Sequence, residues 1–130
     1  MTTRFVIADD NALFRRTLCC ILKALDLVYE FAGEAKNGKD AITVVDRCAP
    51  DLLILDLHMP ELDGFGVMQQ IRDKYPKLKI LVLTLDDSQW TKEKALKCGA
   101  DAFCSKSCGK ADLLQSLERL VAGQAETPAC

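Results

Sequence analysis

Short apolar runs alternate with amphipathic stretches along the whole chain, the pattern of a parallel sheet wrapped by helices. The runs are Phe5-Val-Ile-Ala8, Val28 to Ala32, Leu52-Leu-Ile-Leu55, Ile80-Leu-Val-Leu83 and the short Ala102-Phe-Cys104. They are continuously apolar rather than strictly alternating, so each reads as a strand covered on both faces by crossover helices. Between them the apolar residues take helical spacing: Phe14, Leu18, Ile21, Leu22 and Leu25, then Ala41, Val44, Val45 and Cys48, then Val67, Met68 and Ile71. The last stripe is the clearest, with Ala111, Leu113, Leu114, Leu117, Leu120 and Val121 ahead of a closing Gly123. Asn37-Gly38, Pro50, Pro60, Asp63-Gly64, Pro76 and Gly99 punctuate the joins. The expectation is an α/β chain with five strands. It forms a single domain over residues 1–123, and the patternless 124–130, which holds Pro128, is a tail or the start of a linker.

Composition narrows the classes. The chain has 130 residues, enough for one core that buries roughly two thirds of the unfolded surface. Lys and Arg number 17 against 19 Asp and Glu, a net charge of −2, so no positive excess exists to neutralise DNA or an anionic membrane. The longest apolar run, Leu18 to Leu22, is five residues, far short of the roughly 20 of a spanning helix. The N-terminus lacks the basic and apolar regions of a secretory signal, which makes a cytoplasmic location the expectation. Seven cysteines, at 19, 20, 48, 98, 104, 108 and 130, contain no CxxC pair, and the single His58 is distant in sequence from Cys104 and Cys108. Neither a zinc cage nor a disulfide framework is indicated, and Cys19, Cys48 and Cys98 read as small hydrophobes on helix faces.

Candidate chemistry lies just past the strands. Ligands of an open parallel sheet bind beyond the carboxyl ends of its strands. Asp9 and Asp10 follow the first run, Asp56 the third, Thr84 the fourth and Lys106 the fifth. Right-handed crossovers place all of these ends on one edge. Crowded carboxylates repel unless a cation joins them. Mg²⁺ suits an all-oxygen set, whereas zinc would call for sulfur or nitrogen. With the metal and Lys106 neutralising a phosphoryl group, one carboxylate, Asp56, can serve as its nucleophile and become an aspartyl phosphate. Each residue also has a plain structural alternative. Asp10 or Asn11 could cap the following helix, Asp56 could initiate a turn, Thr84 could bond the backbone, and Lys106 could be a solvated charge. Only the joint placement favours the functional reading.

At Val6-Ile-Ala-Asp-Asp10, Leu53-Ile-Leu-Asp-Leu-His-Met-Pro-Glu-Leu-Asp-Gly64, Leu81-Val-Leu-Thr84 and Gly99-Ala-Asp-Ala-Phe-Cys-Ser-Lys106 the sequence resembles the receiver domain of bacterial two-component response regulators. The likeness covers roughly Arg4 to Gly123. It implies a flavodoxin-like, doubly wound five-stranded parallel sheet in the order 2-1-3-4-5 with five helices. It also implies that Asp56 accepts a phosphoryl group from a sensor histidine kinase. Asp9, Asp10, Asp56 and the backbone carbonyl of His58 would hold Mg²⁺, and Lys106 would pair with a phosphoryl oxygen. Thr84 and the aromatic Phe103 would form a two-state switch acting on the face of the fourth helix, fifth strand and fifth helix, roughly Asp87 to Gly123. Homodimerisation through that face or the last helix is a further implication, and Trp90 is either packing or a contact on it. The chain is thus expected to be a signalling phosphoacceptor rather than a turnover enzyme.

Two positions depart from the family pattern. Ser107 follows Lys106 where the family usually has a proline after a cis bond, and without proline that bond costs about 2.5 to 4 kcal/mol. Leu85 replaces a small residue after the switch threonine, so its bulk is expected to narrow access to Asp56. His58 and Asp86 stand at variable positions that tune the phosphoryl lifetime in the family. The last helix resembles that of receivers leading into a helix-turn-helix DNA-binding domain of the nitrate-regulator or LuxR type, with transcription as the output. A stand-alone receiver acting on a protein, and a pseudo-receiver that is never phosphorylated, are the alternatives within the class. A Mg²⁺-dependent phosphatase of the haloacid-dehalogenase type fits less well, because Asp56-Leu-His58 lacks its second carboxylate. A flavodoxin-like FMN carrier would meet repulsion from Asp9 and Asp10 where its phosphate loop should be.

Overall fold

A computed structural model describes residues 2–24 and 29–122. In chain order the elements are β1 (Thr3–Ala8), α1 (Ala12–Lys23), β2 (Tyr29–Ala35), α2 (Gly38–Cys48), β3 (Leu52–Leu55), α3 (Gly64–Ile71), β4 (Lys79–Thr84), α4 (Gln89–Lys97), β5 (Ala102–Ser105) and α5 (Lys110–Val121). The five strands form one parallel sheet in the order β2-β1-β3-β4-β5, the flavodoxin-like arrangement expected.

Period-two alternation divides the strand residues between two cores. Val6, Ala8, Leu53, Leu55, Ile80 and Val82 pack with Val44, Val45, Val67, Met68, Ile71 and Ala95, residues of α2, α3 and α4. On the other face Phe5, Ile7, Leu52, Ile54, Leu81 and Leu83 pack with Leu18, Leu22, Leu113, Leu117 and Leu120, residues of α1 and α5. The continuous apolar runs are therefore two alternating faces that both lack water, which is why they show no polar period.

Three details differ from the pattern-based expectation. The run Val28 to Ala32 predicts a strand that stops too early; β2 extends to Ala35, with Val28 outside the described residues. Its later positions, Gly33-Glu34-Ala35, lie at the sheet edge, where one side faces solvent and polar side chains are tolerated. At α5 the inward stripe is Leu113, Leu117 and Leu120, while Ala111 and Val121 are exposed. Helix α4 has no readable stripe because it buries only Thr91 and Ala95. Leu25, Gly123, the tail at 124–130 and its Cys130 lie outside the described residues.

The registers carry the geometry of the functional edge. Ala8 pairs with Leu55, Leu55 with Val82, and Val82 with Phe103. The chain consequently leaves β1 at Asp9 and β3 at Asp56 on the same level. Backbone bonds hold them there: Asp56 N–H donates to the Ala8 carbonyl at 2.9 Å, and Asp9 N–H to the Ala35 carbonyl at 3.0 Å.

Candidate functional site

The residues past β1 divide their work. Asn11, not Asp10, caps α1, its Oδ1 accepting from Phe14 N–H at 3.0 Å. Asp10 thus has no capping duty, while Asp9 Oδ1 accepts from Asn11 N–H at 2.9 Å. Asp9 is 2 % exposed and turns back into the edge, while Asp10 faces solvent. Asp56 is 6 % exposed and accepts a long 3.3 Å bond from His58 N–H, the contact of a turn initiator. Gly64 lets the loop after β3 fold back on it. A Cβ there would lie 2.6 Å from the Asp56 carbonyl oxygen and 2.8 Å from the Leu57 Cα, so only glycine fits.

One oxygen from each of Asp9, Asp10 and Asp56 lies within 4.8 Å of the others, the only such group of metal-ligand side chains among the described residues. Into this trio reaches Lys106, its Nζ 2.6 Å from Asp9 and 3.2 Å from Asp56. The side chain is only 11 % exposed, which removes it from the class of solvated lysines. The Phe14 ring lies 4.4 Å from the ammonium and covers its apolar flank. Spacing alone marked Phe14 as a core residue, and its role beside Lys106 had no signal in the sequence.

Titration follows from this crowding. Burial pushes Asp9 above the usual carboxylate range; the bonds from Lys106 and the Asn11 amide pull the other way, and the charge of Asp56 pushes it further up. Burial also works against the Lys106 ammonium, but the bond to Asp9 and the charge of Asp56 outweigh it and hold Lys106 above the ordinary lysine value.

Thr84 is fully buried, and its hydroxyl oxygen accepts from Asp86 N–H at 3.4 Å. Asp86 in turn accepts from the Thr91 hydroxyl at 2.9 Å, and the His58 imidazole lies 3.6 Å from its carboxylate. The bonds from Thr91 and the Ser88 amide hold Asp86 below the usual carboxylate range. His58 thus sends its side chain away from the trio. Phe103 is buried within the core that holds Val82 and Ala95.

Past β5 the Lys106–Ser107 bond is trans, like every described peptide bond. Ser105 organises the turn instead of a proline: its hydroxyl meets that of Ser107 at 2.7 Å and accepts from the Ser107 amide at 3.1 Å, while Cys108 N–H bonds its carbonyl at 3.0 Å. Lys106 N–H donates to the Thr84 carbonyl at 2.8 Å, which fixes the lysine's root on the edge. Leu85 is 72 % exposed, so any shielding of Asp56 comes from the rim and not from packing. Trp90 is likewise exposed, with Lys94 5.0 Å from its ring, which excludes the packing reading.

Residues 5–118 match the response regulator receiver domain family. The chain belongs to that family. As a receiver it is 35 % identical to the nitrate/nitrite response regulator NarL of Escherichia coli, over 92 % of this chain and 55 % of that protein. It is 33 % identical to the chemotaxis protein CheY of Listeria monocytogenes, over 89 % of this chain and 96 % of that one. Among solved structures, a LuxR-family two-component response regulator from Aurantimonas superposes with a TM-score of 0.91 at 25 % identity, covering 98 % of the receiver and 91 % of that chain. The receiver spans about half the length of transcriptional regulators that it matches, 51 to 55 %. No described helix is long and apolar enough to cross a membrane.

Proposed function

We propose that this receiver is a phosphorylation-activated switch in which Asp56 takes a phosphoryl group from the histidine of a sensor kinase. The observation that carries the reading is the Lys106 ammonium lying between Asp9 and Asp56 at the edge of three clustered carboxylates. An Asp56 oxygen attacks phosphorus, the bond from phosphorus to the donor histidine breaks, and that electron pair returns to the imidazole. The trio offers hard oxygen donors and no sulfur or nitrogen, which fits Mg²⁺. When bound by Asp9, Asp10, Asp56 and the His58 carbonyl, Mg²⁺ supplies positive charge to the transferring oxygens.

Lys106 moves from the carboxylates to a phosphoryl oxygen. Thr84 accepts a long bond from Asp86 N–H, and its own proton would go to a second phosphoryl oxygen. That bond draws the loop after β4 inward and biases Phe103, whose buried position here is one of two states. The change is read on the α4-β5-α5 face, where Trp90 stands exposed and where a second copy of the receiver would dock.

For the output, the half-length match to transcriptional regulators supports a DNA-binding domain beyond residues 1–123, with 124–130 as tail or linker. The near-full-length match to the chemotaxis protein supports a second reading, a stand-alone receiver acting on a protein partner. Intact mass after incubation with acetyl phosphate tests the chemistry. A single phosphoryl adduct that requires Mg²⁺ and is lost in Asp56→Asn is the expected outcome; labelling that persists in the variant refutes the assignment.

A further inference from the structure

The five residues from Cys104 to Cys108 enclose Lys106, and their two terminal sulfurs lie 2.8 Å apart. That separation is inside van der Waals contact yet longer than the roughly 2.05 Å of a disulfide bond. It arises from the turn itself, since the bond from Cys108 N–H to the Ser105 carbonyl brings Cys108 back beside the end of β5. Local sequence gives no hint of this, because the CxxxC spacing has no motif and a straight strand would separate these positions by more than 10 Å.

The two cysteines differ in access. Cys104 is buried against the α1 and α5 core, whereas Cys108 is half-buried and lines a cleft of about 150 Å³ with Phe14, Leu83, Lys106, Lys110 and Leu113. A small molecule entering this cleft meets the Cys108 sulfur first. Lys110 also lines the cleft, while the Lys106 ammonium is engaged with Asp9 and Asp56. Neither cysteine belongs to a group of three metal-ligand side chains among the described residues.

We propose that Cys104 and Cys108 are a reversible dithiol/disulfide couple that staples the Lys106 loop, with a hydroperoxide as oxidant. The Cys108 sulfur attacks a peroxide oxygen, the O–O bond breaks, and Cys108 becomes a sulfenic acid with release of water or an alcohol. Cys104 then attacks that sulfur, the S–O bond breaks, and hydroxide leaves to be protonated as water. Two thiols have lost two electrons and two protons, and the peroxide has gained both electrons. A small thiol reverses the step by exchange. The staple adds a covalent restraint to a turn that Ser105 and Ser107 hold only by hydrogen bonds.

Oxidation of the full chain in a Cys98→Ser background tests the pair, because trypsin cuts after Lys106 and Cys98 shares its peptide with Cys104. Dilute hydrogen peroxide is expected to remove two hydrogens, to link the peptide ending at Lys106 to Ser107–Lys110, and to be undone by dithiothreitol. Amide exchange across residues 105–109 is expected to slow by roughly tenfold in the oxidised form. Cys108→Ser, a change at the half-buried member, should abolish both effects without perturbing the fold. Accumulation of sulfinic acid at Cys108 with no cross-link overturns the couple, and a cross-link with unchanged exchange overturns the staple. None of these readouts depends on phosphorylation of Asp56.

Discussion

Leu85 tests what a single side chain at the rim can do. It is mostly in solvent and directly follows the buried Thr84. Leu85→Ala is expected to speed labelling by acetyl phosphate several-fold while leaving the midpoint of unfolding in place, since little apolar area is lost from the core. An unchanged rate in a timed mass assay removes the gate. Asp86 offers a second residue-scale measurement. Its carboxylate is held below 3.8, the ordinary value, first by the Thr91 hydroxyl. A folded value below the unfolded one means that this bond contributes stability above the ordinary pKa and loses it as pH falls through the depressed value. Thr91→Val should therefore move the Asp86 titration upward in a carbon-detected NMR experiment, with the His58 contact left as the remaining charge partner. At this scale the sequence announces the gathering of Asp9, Asp10, Asp56 and Lys106 and not what supports it. Asp9, Asp56 and Lys106 meet as strand-end logic requires, whereas Phe14 beside the ammonium and Ser105 in the turn depend on side-chain directions that no spacing encodes.

The caps show how one element protects the chemistry of another. Asn11 and Asn37 hold the first turns of α1 and α2, and Asp63 and Ser88 do the same for α3 and α4. Asn11→Ala should cost about 1 kcal/mol by urea unfolding and leave Asp56 labelling intact, which separates the cap from its acidic neighbours. If labelling fails as well, Asn11 has a second task. Element boundaries were legible where apolar runs met glycine or proline, as at β3 and α3. They failed at β2, whose edge position tolerates glutamate, and at α4, which buries too little to leave a stripe.

Across the whole molecule, the two rims of the sheet are built for opposite purposes. At the rim away from Asp56, Arg72 at the end of α3 gathers the carbonyls of Tyr75, Pro76 and Leu78 with one nitrogen, and the Gly99 carbonyl and the Asp101 carboxylate with the other. Asp101 also accepts from Ile80 N–H, so one cluster ties α3 to the starts of β4 and β5. Arg72→Met should destabilise by about 2 to 3 kcal/mol in urea, with labelling retained once the protein is folded. Nothing in the sequence pattern announced this arginine, because its partners are mostly backbone carbonyls and carry no residue identity. A barrel stave gripped firmly at its foot can sway only at its top. The guanidinium grip has the same consequence: it pins the feet of β4 and β5, so a displacement at the acidic rim is expected to show at the upper ends of α4 and β5 and not at their starts.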